Sequence, residues 1–270
     1  MRPSDTPSSR SADSRPGSSG TNPFLGRPDQ NLWMQACARG DHEHRIFPGL
    51  AEVTEKIGPC PINGDITVHF HTRISPDRRG APMARMIEYS TNRPEAAFAP
   101  LVRHAHGLLD SVEQAVETAD PISRTAVGAI RRSGLRVLEG VRCTGFTTTR
   151  RTAGMDLEFQ IWIDSQRGHV ARLDFRALNL ADRHGEGRLN SAFGMRLYRF
   201  DQEDRWVLAQ QTDRVTFATA DEAMPQSGYA ERTSIFHDHW VQPVAGTGET
   251  AELFAPVTSP SPTEATLRAG

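Results

Sequence analysis

The strongest constraint on this chain is the alternation in residues 154–176. Met155, Leu157, Phe159, Ile161 and Ile163 alternate with Asp156, Glu158, Gln160, Trp162 and Asp164. A period of two puts one set of side chains on each face of a β-strand, so this run predicts a half-buried strand. The next run repeats the pattern, with Ala171, Leu173 and Phe175 on one face and Val170, Arg172, Asp174 and Arg176 on the other. A loop Gln166-Arg167-Gly168, with Gly168 in the left-handed conformation, closes a hairpin that pairs Ile163 with Ala171, Ile161 with Leu173 and Phe159 with Phe175. A loop one residue longer would set Ile161 against Arg172, so the apolar pattern selects the register. In that register Glu158 faces Arg176, an ion pair, and Trp162 faces Arg172, a cation–π contact. The hairpin is one-sided: it needs a core against one face and tolerates water on the other.

Around the hairpin the chain reads as one folded region between two polar ends. Residues 1–28 are rich in Ser, Pro, Gly and Arg, and residues 243–270 resemble them, so both are expected to be disordered, leaving 29–242 as a single domain. The apolar fraction of 37% and mean hydropathy of −0.51 agree with part of the chain lying outside any core. Net charge is −2, which gives no basis for a nucleic-acid partner. No apolar run reaches the about eighteen residues of a spanning helix, and the N-terminus shows no apolar signal region, which points to the cytoplasm.

Within 29–242, Asp29 caps a short helix through Leu32, Trp33 and Cys37 that Gly40 stops. A second short helix fits 48–57, with Leu50, Val53, Thr54 and Ile57 on one side. Ile66, Val68, Phe70, Thr72 and Ile74 then alternate as a strand, with 84–90 as its partner. Apolar residues of 98–119 follow 3-4 spacing, an amphipathic helix. Asp120-Pro121 opens another helix carrying Ile122, Ala126, Val127 and Ile130 and ending at Gly134. Beyond it come strands alone: a bent or bulged one over 135–149, the hairpin, then 192–200, 205–210, 212–219 and 233–241. Short loops between strands make an antiparallel meander whose apolar face the helices cover, an α+β fold. A curved sheet wrapped on helices leaves a groove or cavity, the default ligand site.

Several chemistries were weighed on their residues. Eight of ten histidines fall in His-x-His pairs at 42/44, 69/71, 104/106 and 237/239. On a strand such a pair shares a face and could start a metal site, one joining His69, His71, His237 and His239 being the candidate. On a helix the pair diverges by about 200° and cannot share an ion. Both strand pairs stand opposite their apolar stripes, where histidine is an ordinary polar residue, so no metal and no cofactor is assigned. Cys37, Cys60 and Cys143 lack C-x-x-C spacing; Cys37–Cys60 is either a disulfide or a pair of buried thiols. There is no nucleophile elbow, P-loop or dinucleotide fingerprint, so no catalytic residue is assigned. Trp162, Trp206, Trp240 and Phe200 are aromatics that either line a pocket or pack in the sheet.

The phrases GMDLEFQIWIDSQRGHVARLDF, RLYRFDQEDRWVLAQQTDRVTF and YAERTSIFHDHW, within an order of N-terminal helix, strand pair, helical block and long meander, resemble the bacterial LolA/LolB lipoprotein-localisation superfamily. The resemblance implies an open, curved half-barrel capped by helices, a cavity for a lipid or lipoprotein acyl chain, no catalysis and a location in the cell envelope or periplasm. On that reading Phe159, Ile161, Leu173 and Phe175 of the sheet and Leu101, Leu108 and Val112 of the helix bind the ligand. Two other readings stand beside it: a cone-shaped α+β enzyme using a His/acid pair, with His237 or His239 as its histidine, and an interaction module acting through its disordered ends.

Overall fold

A computed structural model of the chain describes residues 25–43, 45–59, 64–77, 81–93, 99–122, 130–152, 155–180, 188–218 and 227–242. Helix α1 (Arg27–Glu43) is followed by β1 (Ile46–Phe47), β2 (Leu50–Gly58), β3 (Ile66–Pro76) and β4 (Pro82–Thr91). Helix α2 (Ala99–Ala119) precedes β5 (Arg131–Leu138), β6 (Val141–Thr152), β7 (Met155–Asp164), β8 (Val170–Leu180) and β9 (Arg188–Phe200). The series ends with β10 (Trp206–Ala218), β11 (Ser227–His237) and β12 (Trp240–Val241). Ten strands form one curved, open antiparallel sheet in the order β4-β3-β2-β11-β10-β9-β8-β7-β6-β5, and β1 pairs with β12 beside it. The α+β fold expected from the strand pattern, and the open half-barrel that the resemblance implies, are therefore the observed architecture.

The β7–β8 hairpin has the register its alternation demands. Phe159 pairs with Phe175, Ile161 with Leu173 and Glu158 with Arg176. Gly168 takes a φ of 72° in the turn. One detail differs at the turn end: a bulge after Trp162 sets Ile163 opposite Val170 rather than Ala171. The Glu158–Arg176 ion pair forms at 2.5 Å. The cation–π partner of Trp162 is instead Arg136 of β5, 5.8 Å from the ring, because Arg172 turns to Asp174 at 2.7 Å.

Helix α2 connects the two edge strands, so the chain must carry it across the whole concave face. Its stripe Leu101, Ala105, Leu109, Val112 and Val116, at helical spacing, is buried against β2, β6, β7, β10 and β11. Leu157, Phe159, Ile161 and Ile163 of β7 are fully enclosed. Trp33 of α1 meets Phe146 of β6 edge-on at 5.5 Å, closing the other side of the core.

Five sequence expectations are corrected. Residues 50–58 form β2, not a helix: Ala51, Val53, Glu55 and Ile57 alternate inward, and the inward Glu55 disguises the period. The expected helix after Asp120 gives way to β5 from Arg131, residues 123–129 lying outside those described. The single bent strand over 135–149 is two strands, because Glu139 and Gly140, at φ 48° and 84°, make a hairpin turn with both central residues left-handed. The separate strands over 205–210 and 212–219 are one, β10. Helix α1 also runs through Gly40 to Glu43.

Candidate functional site

Polar side chains interrupt the apolar concave face along one row. Register places Glu55 of β2 beside Arg232 of β11, Arg232 beside Asp213 of β10, and Asp213 beside Gly194 of β9. Each stands on the inward face of its strand, where burying an ion without partners would cost several kcal/mol. The partners are present. Arg232 Nε donates to Glu55 Oε1 at 2.6 Å, and its Nη1 donates to Asp110 Oδ1 of α2 at 2.7 Å and Glu113 Oε2 at 3.3 Å. His106 of α2 bonds the other Glu55 oxygen. Gln211 Nε2 donates to Glu113 Oε1 at 2.7 Å and to Asp213 Oδ2 at 2.8 Å. Arg196 Nη1 donates to Asp213 Oδ1 at 2.7 Å, with both side chains buried.

The result is a polar belt that fastens the underside of α2 to four strands. Gly194 makes room for it: a Cβ there would stand 2.4 Å from the Thr212 carbonyl oxygen and 2.6 Å from Asp213 Oδ1. Burial alone would push the Glu55 carboxyl up, but the His106 hydrogen bond and the Arg232 guanidinium outweigh it and hold the group below its ordinary range.

Beside the belt lies a cavity of about 460 Å³ between the concave face and the helices. Its apolar wall includes Phe47, Ile74, Val116, Leu173, Tyr198 and Trp206. Trp206 Nε1 donates to the Val170 carbonyl at 2.8 Å, so its polar atom is satisfied. The belt supplies Glu113, Gln211 and Arg196 to the same cavity, and Glu117 and His239 add to its polar side. Burial, then the neighbouring Glu113, raises the Glu117 carboxyl; burial lowers His239, which bonds the Leu208 carbonyl at 2.9 Å. A wider depression of about 660 Å³, lined by Asp201, Glu203, Arg205 and His237, opens on the strand ends instead. Its charges are largely engaged with each other: Arg205 bonds Asp201 at 2.8 Å and Glu203 at 2.9 Å.

The seven residues named from sequence come together in and against one core cluster. Leu101, Val112, Phe159, Ile161, Leu173 and Phe175 are buried in it and Leu108 packs on it. Leu173 is also part of the cavity wall, with Trp206 from the aromatic set. Phe200 packs on Trp206 at 4.6 Å, and Trp240 stacks on Phe47 at 5.2 Å. Sequence reasoning missed Val116, Tyr198 and the belt. Val116 was legible as part of the α2 stripe; the belt was not, because charged residues were assigned outward.

The histidine pairs scatter. His69 bonds Thr54 at 3.0 Å, His71 meets Glu88 at 3.1 Å and His237 meets Glu52 at 3.5 Å, all on the outer face. His237 and His239 both line the wider depression, and beyond Asp238, at a left-handed φ of 52°, His239 also reaches the cavity wall. His104 and His106 diverge, to Phe217 and Glu55. His42 and His44 fall outside the described side chains, as does Cys60; Cys37 is buried. Among the described residues no three His, Cys, Asp or Glu side chains converge as a metal ion requires. Among them, too, no helix is long and apolar enough to cross a membrane.

No family model matches the chain, and no curated protein matches it. Solved structures similar to it include a DUF1329 family protein from Desulfovibrio piger, at 8% identity and a TM-score of 0.32, over 82% of this chain and 95% of that one. The Pseudomonas aeruginosa MucA/MucB complex aligns at 9% identity and a TM-score of 0.23, over 80% and 100% of the two chains. A putative outer membrane lipoprotein-sorting protein domain from Vibrio parahaemolyticus aligns at 8% identity and a TM-score of 0.31, over 82% of this chain and 95% of that one.

Proposed function

We propose that the protein is a non-catalytic binding protein that holds the apolar chain of a lipid, or the acyl chain of a lipoprotein, between its sheet and helices. The observation that carries this reading is the cavity of about 460 Å³ walled by Phe47, Ile74, Val116, Leu173, Tyr198 and Trp206. Its volume lies within the about 300–1,000 Å³ of small-molecule sites, and burying each methylene there contributes about 0.8 kcal/mol. Glu113, Glu117, Gln211, Arg196 and His239 also line it and offer partners for a ligand's polar end. Leu101, Val112, Phe159, Ile161 and Phe175, with Leu108 against them, form the packed core around the chamber, and Leu173 touches the ligand. Against the enzyme reading with His237 or His239, His237 meets Glu52 at 3.5 Å on the outer face and the hydrogen bond of His239 goes to the Leu208 carbonyl.

Native mass spectrometry of protein purified from cells, together with titration of a fluorescent fatty acid, tests the proposal. One bound equivalent is expected, and Val116→Phe, which fills the cavity from α2, should weaken binding about tenfold or more while circular dichroism shows the fold retained. Absence of both co-purified lipid and fatty-acid binding would overturn it.

A further inference from the structure

The sheet ends in two unlike edges. At one end β4 has, among the described residues, no strand beyond it, and its Met83, Met86, Ile87 and Tyr89 are 55%, 54%, 50% and 40% exposed. At the other, β5 exposes Leu135 and Val137. Long apolar edges recruit another strand unless something blunts them.

Charge distinguishes the two. Strand β5 carries Arg131, Arg132 and Arg136 and no acid, so a second β5 laid against it would set arginine against arginine. Strand β4 carries one of each sign, Arg85 and Glu88. Its register against β3 fixes where they point. Glu88 pairs with His71 and Arg85 with Arg73, while Met86 pairs with Thr72, so Ile87 is the extra residue of a bulge. In a regular strand, residues three apart face opposite ways; the bulge brings Arg85 and Glu88 onto the same outer face. Arg85 stands directly across from Arg73, an unfavourable like-charge pair, and among the described residues no carboxylate lies within ion-pair distance of either.

We infer that β4 is a homodimerisation edge, pairing antiparallel with β4 of a second copy about a two-fold axis between Met86 and Ile87. About that axis Arg85 meets the second copy's Glu88, Ala84 meets its Tyr89 and Met83 its Ser90, each pair sharing a face. The Arg85–Glu88 contact forms twice and relieves the Arg73–Arg85 repulsion. A β4–β4 contact is also closed by its symmetry, whereas β4 on β5 would be heterologous and end only as a ring or an open filament.

The test is the mass of the full chain in solution, by light scattering after size exclusion and by sedimentation across micromolar concentrations. A species near twice 29.8 kDa is expected. Arg85→Glu should set like charges opposite at both contacts and weaken association about tenfold or more. Because it also removes the Arg73–Arg85 repulsion, the variant monomer should stay folded by circular dichroism. The charge swap Arg85→Glu/Glu88→Arg should restore the dimer. A wild-type chain that stays monomeric across the series, or a folded charge swap that does not recover association, would overturn the inference.

Discussion

Arg232→Met tests whether the polar belt holds the fold. The substitution keeps most of the apolar stem and removes the guanidinium that joins Glu55, Asp110 and Glu113. Asp110, 63% exposed, returns to water at little cost. Glu55 does not: at 0% exposure it retains His106 alone as a side-chain hydrogen-bond partner. Removing one member of a buried ion pair costs about 3–5 kcal/mol. For a domain of this size that corresponds to a fall in Tm of about 6–20 °C. The assay is urea unfolding followed by tryptophan fluorescence and far-ultraviolet circular dichroism, extrapolated linearly to water. The same pair sets a pH dependence. The folded Glu55 carboxyl lies below its ordinary 4.5, so its contribution is fully present above that value and is lost as pH falls through the lower, folded one. In Arg232→Met burial dominates and lifts the folded carboxyl above its ordinary 4.5, so the sign reverses: Glu55 costs stability at neutral pH, and that cost is relieved as pH falls through the raised value. Adding Glu55→Gln should recover part of the stability, the two changes being coupled. A loss under about 1 kcal/mol for Arg232→Met at pH 7, or a double variant equal to the sum of the singles, would show that the belt carries no such load.

The remaining predictions use the same unfolding assay unless stated. Gly194→Ala should cost about 1–3 kcal/mol, since its Cβ meets a backbone oxygen and the belt. Gly107→Ala on the exposed side of α2, with nothing within 4 Å, should stabilise by about 0.5–1 kcal/mol. Phe159→Ala, at the fully buried centre of β7, should cost about 3–5 kcal/mol. Burial, with Asp164 nearby, pushes the Cys143 thiol up to about 11, so Cys143→Ser should leave the thiol reactivity of the native protein at pH 8 unchanged and lower that of the urea-unfolded protein.

Much of the fold was legible because most strands alternate cleanly. On β7 and β8 the inward residues are apolar and Gly168 marks the turn, so strand, partner and the register from Phe159–Phe175 to Trp162–Arg172 followed from pattern, while the bulge after Trp162 did not. The misread strands share a cause. Glu55 stands at an inward position of β2, and without it the spacing of Leu50, Val53, Thr54 and Ile57 imitates a helix. Gln211 and Asp213 stand at inward positions of β10, and the reading broke that strand at Gln211. Alternation assumes that inward means apolar, and the belt violates this where charge is compensated by residues far away in sequence. The cavity was legible in kind, as the space a curved sheet leaves against helices. Its walls were not, because α1, β1 and the turned His239 enter from elements whose placement depends on tertiary packing.

The pairing of β2 with β11 also orders events in time. Arg232 and Glu55 are 177 residues apart in sequence. At a synthesis rate of about 5–20 residues per second, β2 leaves the ribosome about 10–35 s before the strand that neutralises its inward carboxylate. During that interval β2, β3 and β4 can pair with one another but have no sheet to join. The N-terminal third is thus made first and completed last, and its exposed strands during that wait are where chaperone capture, or mispairing between nascent copies, would begin.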